Sequence, residues 1–290
     1  MSASRNAEVN LWQPSDFKRL KTLDFKTNSE DVMWDLCYLR DSYIIFCVET
    51  TLKILDFATN TLIKTIDAHK ATIRCLAVID DNTVVSGGWD GIIKIWDVEN
   101  FENIFCSKQL VEPGSKLSRF CKVTRTILIS SDQEVWLRVW NLKTSELQRK
   151  LVGHTKAIAC IAKINSFKVA SGSHDQTIKI WNIDTGECLA TLEGHQSAVL
   201  SLTAIDLDTI ASGSSDNTIK IWFDGKLQTT LTSHNAAVSS LCLLADKILL
   251  SGSYDYTVKI WNLMSAQCFK TLVTTHKNFI SKLIKINKSE

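Results

Sequence analysis

The sequence between residues 154 and 181 reads HTKAIACIAKINSFKVASGSHDQTIKIW, and it contains the pattern that decides the fold. Apolar and polar residues alternate over 158–164, 168–173 and 177–183, and again just beyond this stretch over 188–192. A period of two predicts β-strands, because successive side chains of a strand point to opposite faces. Short turns rich in Gly, Asp and Asn separate the runs, so the stretch predicts an antiparallel sheet of four strands.

The motif that ends this stretch, apolar–Lys/Arg–apolar–Trp, recurs along the chain. It ends at Trp96, Trp140, Trp181, Trp222 and Trp261, and the same frame extends back to Leu55 and Trp12. A lone four-stranded sheet buries too little apolar surface, whereas several such sheets side by side cover one another. Seven repeats, 39 to 44 residues apart, therefore predict an all-β fold with seven four-stranded propeller blades.

Composition and charge narrow the classes of function. The chain of 290 residues has 33 basic and 31 acidic side chains, a net charge of +2, so nucleic acid is not the expected partner. No apolar run approaches the ~18 residues of a membrane helix, and no signal peptide is recognisable. We expect a cytoplasmic protein, with the nucleus as the alternative. The nine cysteines form no CxxC pair, which predicts reduced thiols and neither disulfides nor a metal site.

A second register runs through four of the repeats. A histidine is followed 17, 21 and 27 residues later by serine, aspartate and tryptophan. The four sets are His69, Ser86, Asp90 and Trp96; His154, Ser171, Asp175 and Trp181; His195, Ser212, Asp216 and Trp222; and His234, Ser251, Asp255 and Trp261. A hydrolytic triad occurs once per site, whereas this set recurs at fixed intervals. We therefore interpret it as structural, and we expect no catalytic residue, cofactor or metal.

The chain resembles the WD40 repeat family over nearly its whole length. The resemblance rests on Gly153-His154, Gly194-His195 and Trp96-Asp97, with the variants Trp181-Asn182 and Trp261-Asn262, all in one repeated register. It implies that residues 1–290 form a single WD40 β-propeller domain. It also implies that each His-Ser-Asp-Trp set is a side-chain hydrogen-bond network that connects a turn to the following strands.

The seventh repeat is split between the two ends of the chain. His276 falls in the histidine place, Ser2 in the serine place and Asn6 in the aspartate place before Trp12. We therefore expect both termini to share the last blade. The stretch 279–286 would give the inner strand and the N-terminal residues the two outer strands. The second strand, broken at the junction, is expected to be poorly formed, which would leave the blade incomplete.

Two further repeats depart from the set. The four places read Asn28, Ile45, Glu49 and Leu55 in the first repeat, and Pro113, Ser130, Glu134 and Trp140 in the third. The first repeat can form no such network and the third at most a partial one. We expect these two blades and the split blade to be less stable than the other four.

Two positions in each repeat are expected on the narrow face of the propeller. One directly precedes the turn aspartate and holds Trp89, His174, Ser215 and Tyr254; the other lies five residues after the set histidine and holds Arg74, Ala159, Leu200, Ser239 and Ser281. Aromatic side chains and arginine dominate binding hot spots. We expect Trp89, Arg74, His174, Tyr254 and Ser215 to bind a partner. The alternative is that the aromatic side chains only pack on neighbouring loops.

These observations favour a non-enzymatic scaffold or adaptor that binds a peptide or protein partner, as a subunit of a larger complex and without a membrane. Two alternatives remain open. Substrate receptors of ubiquitin ligases, which the blades resemble, hold phosphorylated peptides with arginines at these positions; only Arg74 matches. A propeller subunit of an RNA-associated complex would need a local basic patch.

Overall fold

The structure is a computed structural model that describes residues 1–5, 8–24, 32–111, 115–274, 276 and 278–286. Every regular element in these residues is a β-strand, and the strands form seven four-stranded antiparallel sheets. The prediction of an all-β, seven-bladed β-propeller is confirmed. The described part of the chain contains no helix that is long and apolar enough to span a membrane.

Six sheets are continuous in sequence, each strand pairing with the next along the chain. Sheet 1 contains β4 (Met33–Arg40), β5 (Tyr43–Val48), β6 (Thr51–Asp56) and β7 (Thr61–Asp67). Sheet 2 contains β8 (Ile73–Asp80), β9 (Thr83–Gly88), β10 (Ile92–Asp97) and β11 (Phe105–Val111). Sheet 3 contains β12 (Leu117–Lys122), β13 (Ile127–Asp132), β14 (Trp136–Asn141) and β15 (Glu146–Val152).

The next sheets repeat the arrangement, and the last combines both ends of the chain. Sheet 4 contains β16 (Ile158–Lys163), β17 (Lys168–Ser173), β18 (Ile178–Asn182) and β19 (Cys188–Leu192). Sheet 5 contains β20 (Val199–Ala204), β21 (Thr209–Ser214), β22 (Thr218–Phe223) and β23 (Lys226–Thr232). Sheet 6 contains β24 (Val238–Ala245), β25 (Ile248–Ser253), β26 (Thr257–Asn262) and β27 (Gln267–Val273). Sheet 7 contains β28 (Ile280–Leu283), β1 (Ser2–Ser4), β2 (Glu8–Trp12) and β3 (Arg19–Asp24).

Sheet 7 confirms that the two termini share a blade and corrects the expected division of its strands. The N-terminal segment supplies three strands, because β1 forms the second strand between β28 and β2. Ser2 pairs with Leu283 and Ala3 with Lys282, and the register shifts before Ser4. The sheet therefore has four strands, and its second strand, Ser2–Ser4, has only three residues, where the second strand of each other sheet has six. Asn6, placed in the aspartate position, lies outside the described residues.

The strands belong to two compact units. The first comprises Met1–Lys26 and Gly153–Lys285 and holds sheets 4 to 7; the second comprises Thr27–Val152 and Ile286–Glu290 and holds sheets 1 to 3. Within each unit the inner strands of successive sheets pack side by side. In the first unit β16 packs on β20, β20 on β24 and β24 on β28, and in the second unit β4 packs on β8 and β8 on β12.

The Ser-Gly-Ser segments allow this close packing within the first unit. Each places its glycine on the second strand of a sheet, directly against the inner strand of the next sheet. A Cβ on Gly172 would lie 2.6 Å from Cγ1 of Val199, and one on Gly213 would lie equally close to Val238. Both distances are too short for any side chain, so these glycines are required by sheet packing.

The first repeat is displaced by one residue from the predicted frame. Phe46, rather than Ile45, pairs with Leu36 and Lys53 and so occupies the serine place. The cause is the turn between β5 and β6, which is one residue shorter than the turn between β9 and β10. Asn28 and Pro113, the expected occupants of the histidine place in the first and third repeats, lie outside the described residues. None of the nine cysteines forms a disulfide.

Candidate functional site

Each of the four sets is a chain of hydrogen bonds in the structure. In sheet 4, Nε1 of Trp181 donates to Oγ of Ser171 at 2.8 Å, and Oγ of Ser171 lies 2.8 Å from Nε2 of His154. Nδ1 of His154 lies 2.7 Å from Oδ2 of Asp175. Since the indole can only donate, the serine hydroxyl donates to the imidazole, which donates to the carboxylate. The same bonds recur in sheets 2, 5 and 6.

A threonine that the sequence register did not include completes three of the sets. Oγ1 of Thr177 donates to Oδ1 of Asp175 at 2.7 Å, and the amide of Thr177 donates to the same oxygen at 3.0 Å. The amide of Thr155 donates to the other oxygen. Burial alone would raise the pKa of Asp175, but these hydrogen bonds outweigh it and lower the pKa to about 2. Thr218 and Thr257 act in the same way on Asp216 and Asp255.

The histidines of the sets are neutral at pH 7. Burial lowers the pKa of His154 below its ordinary value of 6.5, although Asp175 acts in the opposite direction. The same holds for His69, His195 and His234. A neutral imidazole accepts at Nε2 and donates at Nδ1, as the chain of bonds requires. The sets thus satisfy buried polar groups and leave no imidazole nitrogen exposed for acid–base chemistry.

The turn held by each set also fixes the residue before the aspartate. The amide of Trp89 donates to the carbonyl of Thr72 at 3.0 Å, and the amides of His174, Ser215 and Tyr254 donate to the corresponding carbonyls at 2.9 Å. This bond joins the turn to the connection that enters the inner strand. The four residues therefore occupy equivalent places at one edge of their sheets.

Four side chains form an aromatic–cation cluster at this edge of the second unit: Trp34, Arg74, Trp89 and Lys116. The guanidinium carbon of Arg74 lies 3.7 Å from the ring centroid of Trp34 and 5.1 Å from that of Trp89. Nζ of Lys116 lies 5.5 Å from the Trp89 ring. The two tryptophans and Arg74 are half-buried, whereas Lys116 is exposed. The cluster thus presents flat aromatic surface together with positive charge.

Trp34 belongs to this cluster, but the sequence frame missed it. Met33 pairs with Val48 as Ile73 pairs with Gly88, so Trp34 in sheet 1 is equivalent to Arg74 in sheet 2. Five residues after position 28, the expected histidine place of the first repeat, is Met33, so the frame pointed one residue before Trp34. Aligning the segment that begins Met33-Trp34 on Ile73-Arg74 would have identified it.

The first unit carries a second, smaller aromatic group. The ring centroids of Tyr254 and Phe279 lie 4.0 Å apart with the ring planes inclined by 32°, and the guanidinium of Arg5 lies 5.9 Å from the Phe279 ring. Arg5 lies three residues after Ser2, as Trp89 lies three residues after Ser86, so it occupies in sheet 7 the position that Trp89 has in sheet 2. His174 is exposed and Ser215 half-buried at their own edges. The contacts of the described residues join neither of them to Tyr254.

Sheets 3 and 7 each keep part of the set and add other polar contacts. In sheet 3 the guanidinium of Arg138, almost fully buried, forms an ion pair with the buried carboxylate of Asp132. Trp140 still donates to Ser130 at 2.9 Å. In sheet 7 Nε1 of Trp12 donates to Ser2 at 2.9 Å, and Oγ of Ser2 lies 3.1 Å from Nε2 of His276. Sheet 3 therefore contains the expected partial network, the bond from Trp140 to Ser130, and in addition a buried ion pair.

Comparisons with known proteins agree with this geometry. The family model described as "WD domain, G-beta repeat" matches residues 60–97, 145–182, 186–222 and 225–262, just over half of the chain. A BTB/POZ domain and WD-repeat protein of Acanthamoeba polyphaga mimivirus is 29% identical over 101 residues, which are 34% of this chain and 19% of the viral protein. Mitochondrial division protein 1 of Eremothecium gossypii is 26% identical over 110 residues, 36% of this chain and 15% of that protein. A CCR4-associated factor 4 homolog of Vanderwaltozyma polyspora is 28% identical over 57 residues, 19% of this chain and 8% of that protein. The chain thus matches less than a fifth of the length of each relative.

Proposed function

The chain belongs to the WD40 repeat family, and from that premise we propose that it is a non-enzymatic scaffold or adaptor that binds a peptide or protein partner at the aromatic–cation cluster. WD40 propellers commonly mediate protein–protein interaction. The observation that carries the proposal is that the guanidinium of Arg74 lies over the rings of both Trp34 and Trp89, at the edge of adjacent sheets. Tryptophan and arginine are the residue types most enriched in binding hot spots.

The position of the cluster supports a binding role over a purely structural one. In sheets 4 and 5 the place of Trp34 and Arg74 is taken by Ala159 and Leu200, so the repeat itself does not need a large aromatic or charged residue there. The two tryptophans and Arg74 therefore add aromatic and charged surface at this edge beyond what the repeat needs.

Affinity purification from the native cell tests this function. We expect the double variant Trp34→Ala, Trp89→Ala to lose partners that the wild type retains, while Tyr254→Ala tests the smaller aromatic group separately. Met264→Ala and Val152→Ala remove exposed side chains at other sites and serve as controls. Identical partner sets for wild type and the double variant, with unchanged thermal stability, would contradict the proposal.

A second measurement separates an ordinary adaptor from a phosphate-reading receptor. Matched phosphorylated and unmodified peptide libraries are applied to wild type and to Arg74→Glu. An adaptor for ordinary peptides shows no general preference for phosphate. A strong phosphate preference that Arg74→Glu abolishes would instead identify a substrate-recognition module of a ubiquitin ligase.

A further inference from the structure

The fourth strand of every sheet carries a bulge opposite the motif that ends in Trp or Leu. The residue directly after the bulge pairs with the apolar residue before that Trp or Leu. This residue is Lys21 in sheet 7 and, in sheets 1 to 6 in turn, Lys64, Lys108, Arg149, Ala190, Thr229 and Lys270. Five of the seven positions are therefore basic, and sheet 4 departs most strongly from the pattern.

Three of the lysines at this position, Lys64, Lys108 and Lys270, bridge the cleft to the next sheet. Nζ of Lys64 donates to the carbonyl of Glu102 at 3.1 Å, and Nζ of Lys108 donates to the carbonyl of Lys143 at 3.0 Å. Nζ of Lys270 donates to the carbonyl of Asp16. Each acceptor lies in the turn between the third and fourth strands of the following sheet. A basic side chain in this cleft, with its end at that turn, is thus a recurring feature of the molecule.

Sheet 4 has no such side chain, because Ala190 ends at its Cβ. A groove of about 300 Å³ is found at this place, between sheets 4 and 5 of the first unit. Its apolar lining includes Ile180, Leu189, Ala190, Leu207 and Trp222. Leu207 is 64% exposed and Leu189 46% exposed, so the groove is bordered by unusually accessible apolar side chains.

The far end of the groove is the turn that a lysine from sheet 4 would reach. Asp224 and Gly225 form the two-residue hairpin turn between β22 and β23. Gly225 lies three residues after Trp222, as the acceptor Lys143 lies three residues after Trp140, so the two positions are equivalent. The amide of Asp224 donates to the carbonyl of Asp208 at 2.9 Å, so the main chains of these two lining residues are held next to each other at this end. The lining contains one ammonium group, that of Lys168, against these two carboxylates.

We propose that the groove between sheets 4 and 5 binds a lysine or arginine side chain of a partner polypeptide. The aliphatic stem would pack on Leu189 and Leu207, and the charged end would meet Asp208, Asp224 and the carbonyls of their turn. Long basic side chains bury their stems along apolar surface while the charge remains near acceptors. The site is separate from the aromatic–cation cluster and does not depend on the function proposed for it.

The first test supplies the missing side chain from within the molecule. Ala190→Lys is expected to raise the thermal midpoint above that of Ala190→Met, which adds a similar apolar stem without charge. The difference should disappear in an Asp208→Asn, Asp224→Asn background. If Ala190→Lys is no more stable than Ala190→Met, the groove does not accept a basic side chain and the proposal fails.

The second test measures binding of an added ligand. Nα-acetyl-lysine N-methylamide is titrated into the full chain, and the amide resonances of Ala190 and Gly225 are followed by NMR. Saturable shifts are expected with this probe and with its arginine analogue, several-fold weaker binding in Asp224→Asn, and none in Ala190→Lys. Thr229→Lys, which adds the same charge at the equivalent position of sheet 5, should bind like wild type. Equal shifts with the uncharged norleucine analogue, or no shifts with the lysine probe, would overturn the proposal.

Discussion

At the scale of single residues, the serine of each set is the centre of the hydrogen-bond chain. Oγ of Ser171 accepts from Trp181 and donates to His154, so one hydroxyl joins the third strand to the connection that enters the sheet. Asp175 then joins that connection to the turn before β18. All of these groups are buried or half-buried, so the removal of one leaves others without a partner in a dry environment.

We expect Asp175→Ala to destabilise the protein by about 1–3 kcal/mol, because His154 and Thr177 lose their shared acceptor. Asp175→Asn, which keeps an acceptor oxygen, should cost less. Asp246→Ala, at an exposed position, is the control and should change the free energy of unfolding by less than about 0.5 kcal/mol. Urea unfolding measures all three. An Asp175→Ala variant as stable as the control would show that the set contributes nothing to the fold.

The sets also make stability depend on pH. Burial places the folded-state pKa of His69, His154, His195, His234 and His276 below 6.5, so below that pH the unfolded chain binds protons that the folded chain does not. The pKa of about 2 for Asp175, Asp216 and Asp255 acts in the same direction below pH 4. Stability should therefore fall as pH drops through 6.5, and fall further below pH 4. Unfolding midpoints across this range measure it, and a midpoint that rises between pH 7 and pH 5 would contradict the neutral histidines.

At the scale of sheets, each departure from the repeat has its own structural consequence. In sheet 3, Arg138 from the third strand approaches Asp132, so a buried ion pair stands beside the bond from Trp140 to Ser130. In sheet 1, the side chain of Leu55 has no N–H to donate, unlike the indole of Trp, and Phe46 stands in the serine place. The carboxylate of Asp35 accepts the amide of Leu76 at 2.8 Å, which connects sheet 1 to sheet 2 instead.

We expect Asp132→Ala to destabilise the protein by about 3–5 kcal/mol, because it removes the carboxylate nearest to an almost fully buried guanidinium. The double variant Asp132→Ala, Arg138→Met should recover part of that loss, since it removes the buried charge as well. Denaturant midpoints of the two variants and the wild type measure the effect. A double variant less stable than Asp132→Ala would contradict the importance of the unpaired charge.

Local stability should follow the presence of the sets. We expect the amides of β5 and β6 in sheet 1 to exchange with deuterium faster than those of β17 and β18 in sheet 4, because sheet 1 lacks the side-chain network. Hydrogen exchange read by mass spectrometry resolves these strands. Equal protection in the two sheets would show that strand pairing and apolar packing alone set local stability.

At the scale of the whole molecule, the repeat frame was enough to predict the fold but not its local exceptions. The spacing of the motif and the His-Ser-Asp-Trp register predicted the positions of six sheets and of the four sets, because the same pattern recurs in several repeats and each occurrence supports the others. A turn shorter by one residue displaced the first repeat, and Trp34 was missed for that reason. The strand Ser2–Ser4 has only three residues, too few for an alternating pattern to reveal it. The bridging lysines, and their absence at Ala190, depend on contacts between sheets that no strand pattern encodes.

The pairing of the two chain ends in one sheet is tested most directly by a disulfide between β1 and β28. Ala3 lies opposite Lys282 in the antiparallel pair, and directly opposite residues of such a pair are close enough to be bridged. Ala3→Cys and Lys282→Cys are combined, the folded protein is mildly oxidised, and its proteolytic fragments are analysed by mass spectrometry. The structure predicts a fragment in which residues 3 and 282 are joined. If both cysteines are present and reactive in the unfolded chain but no such fragment forms from the folded protein, the shared sheet is wrong.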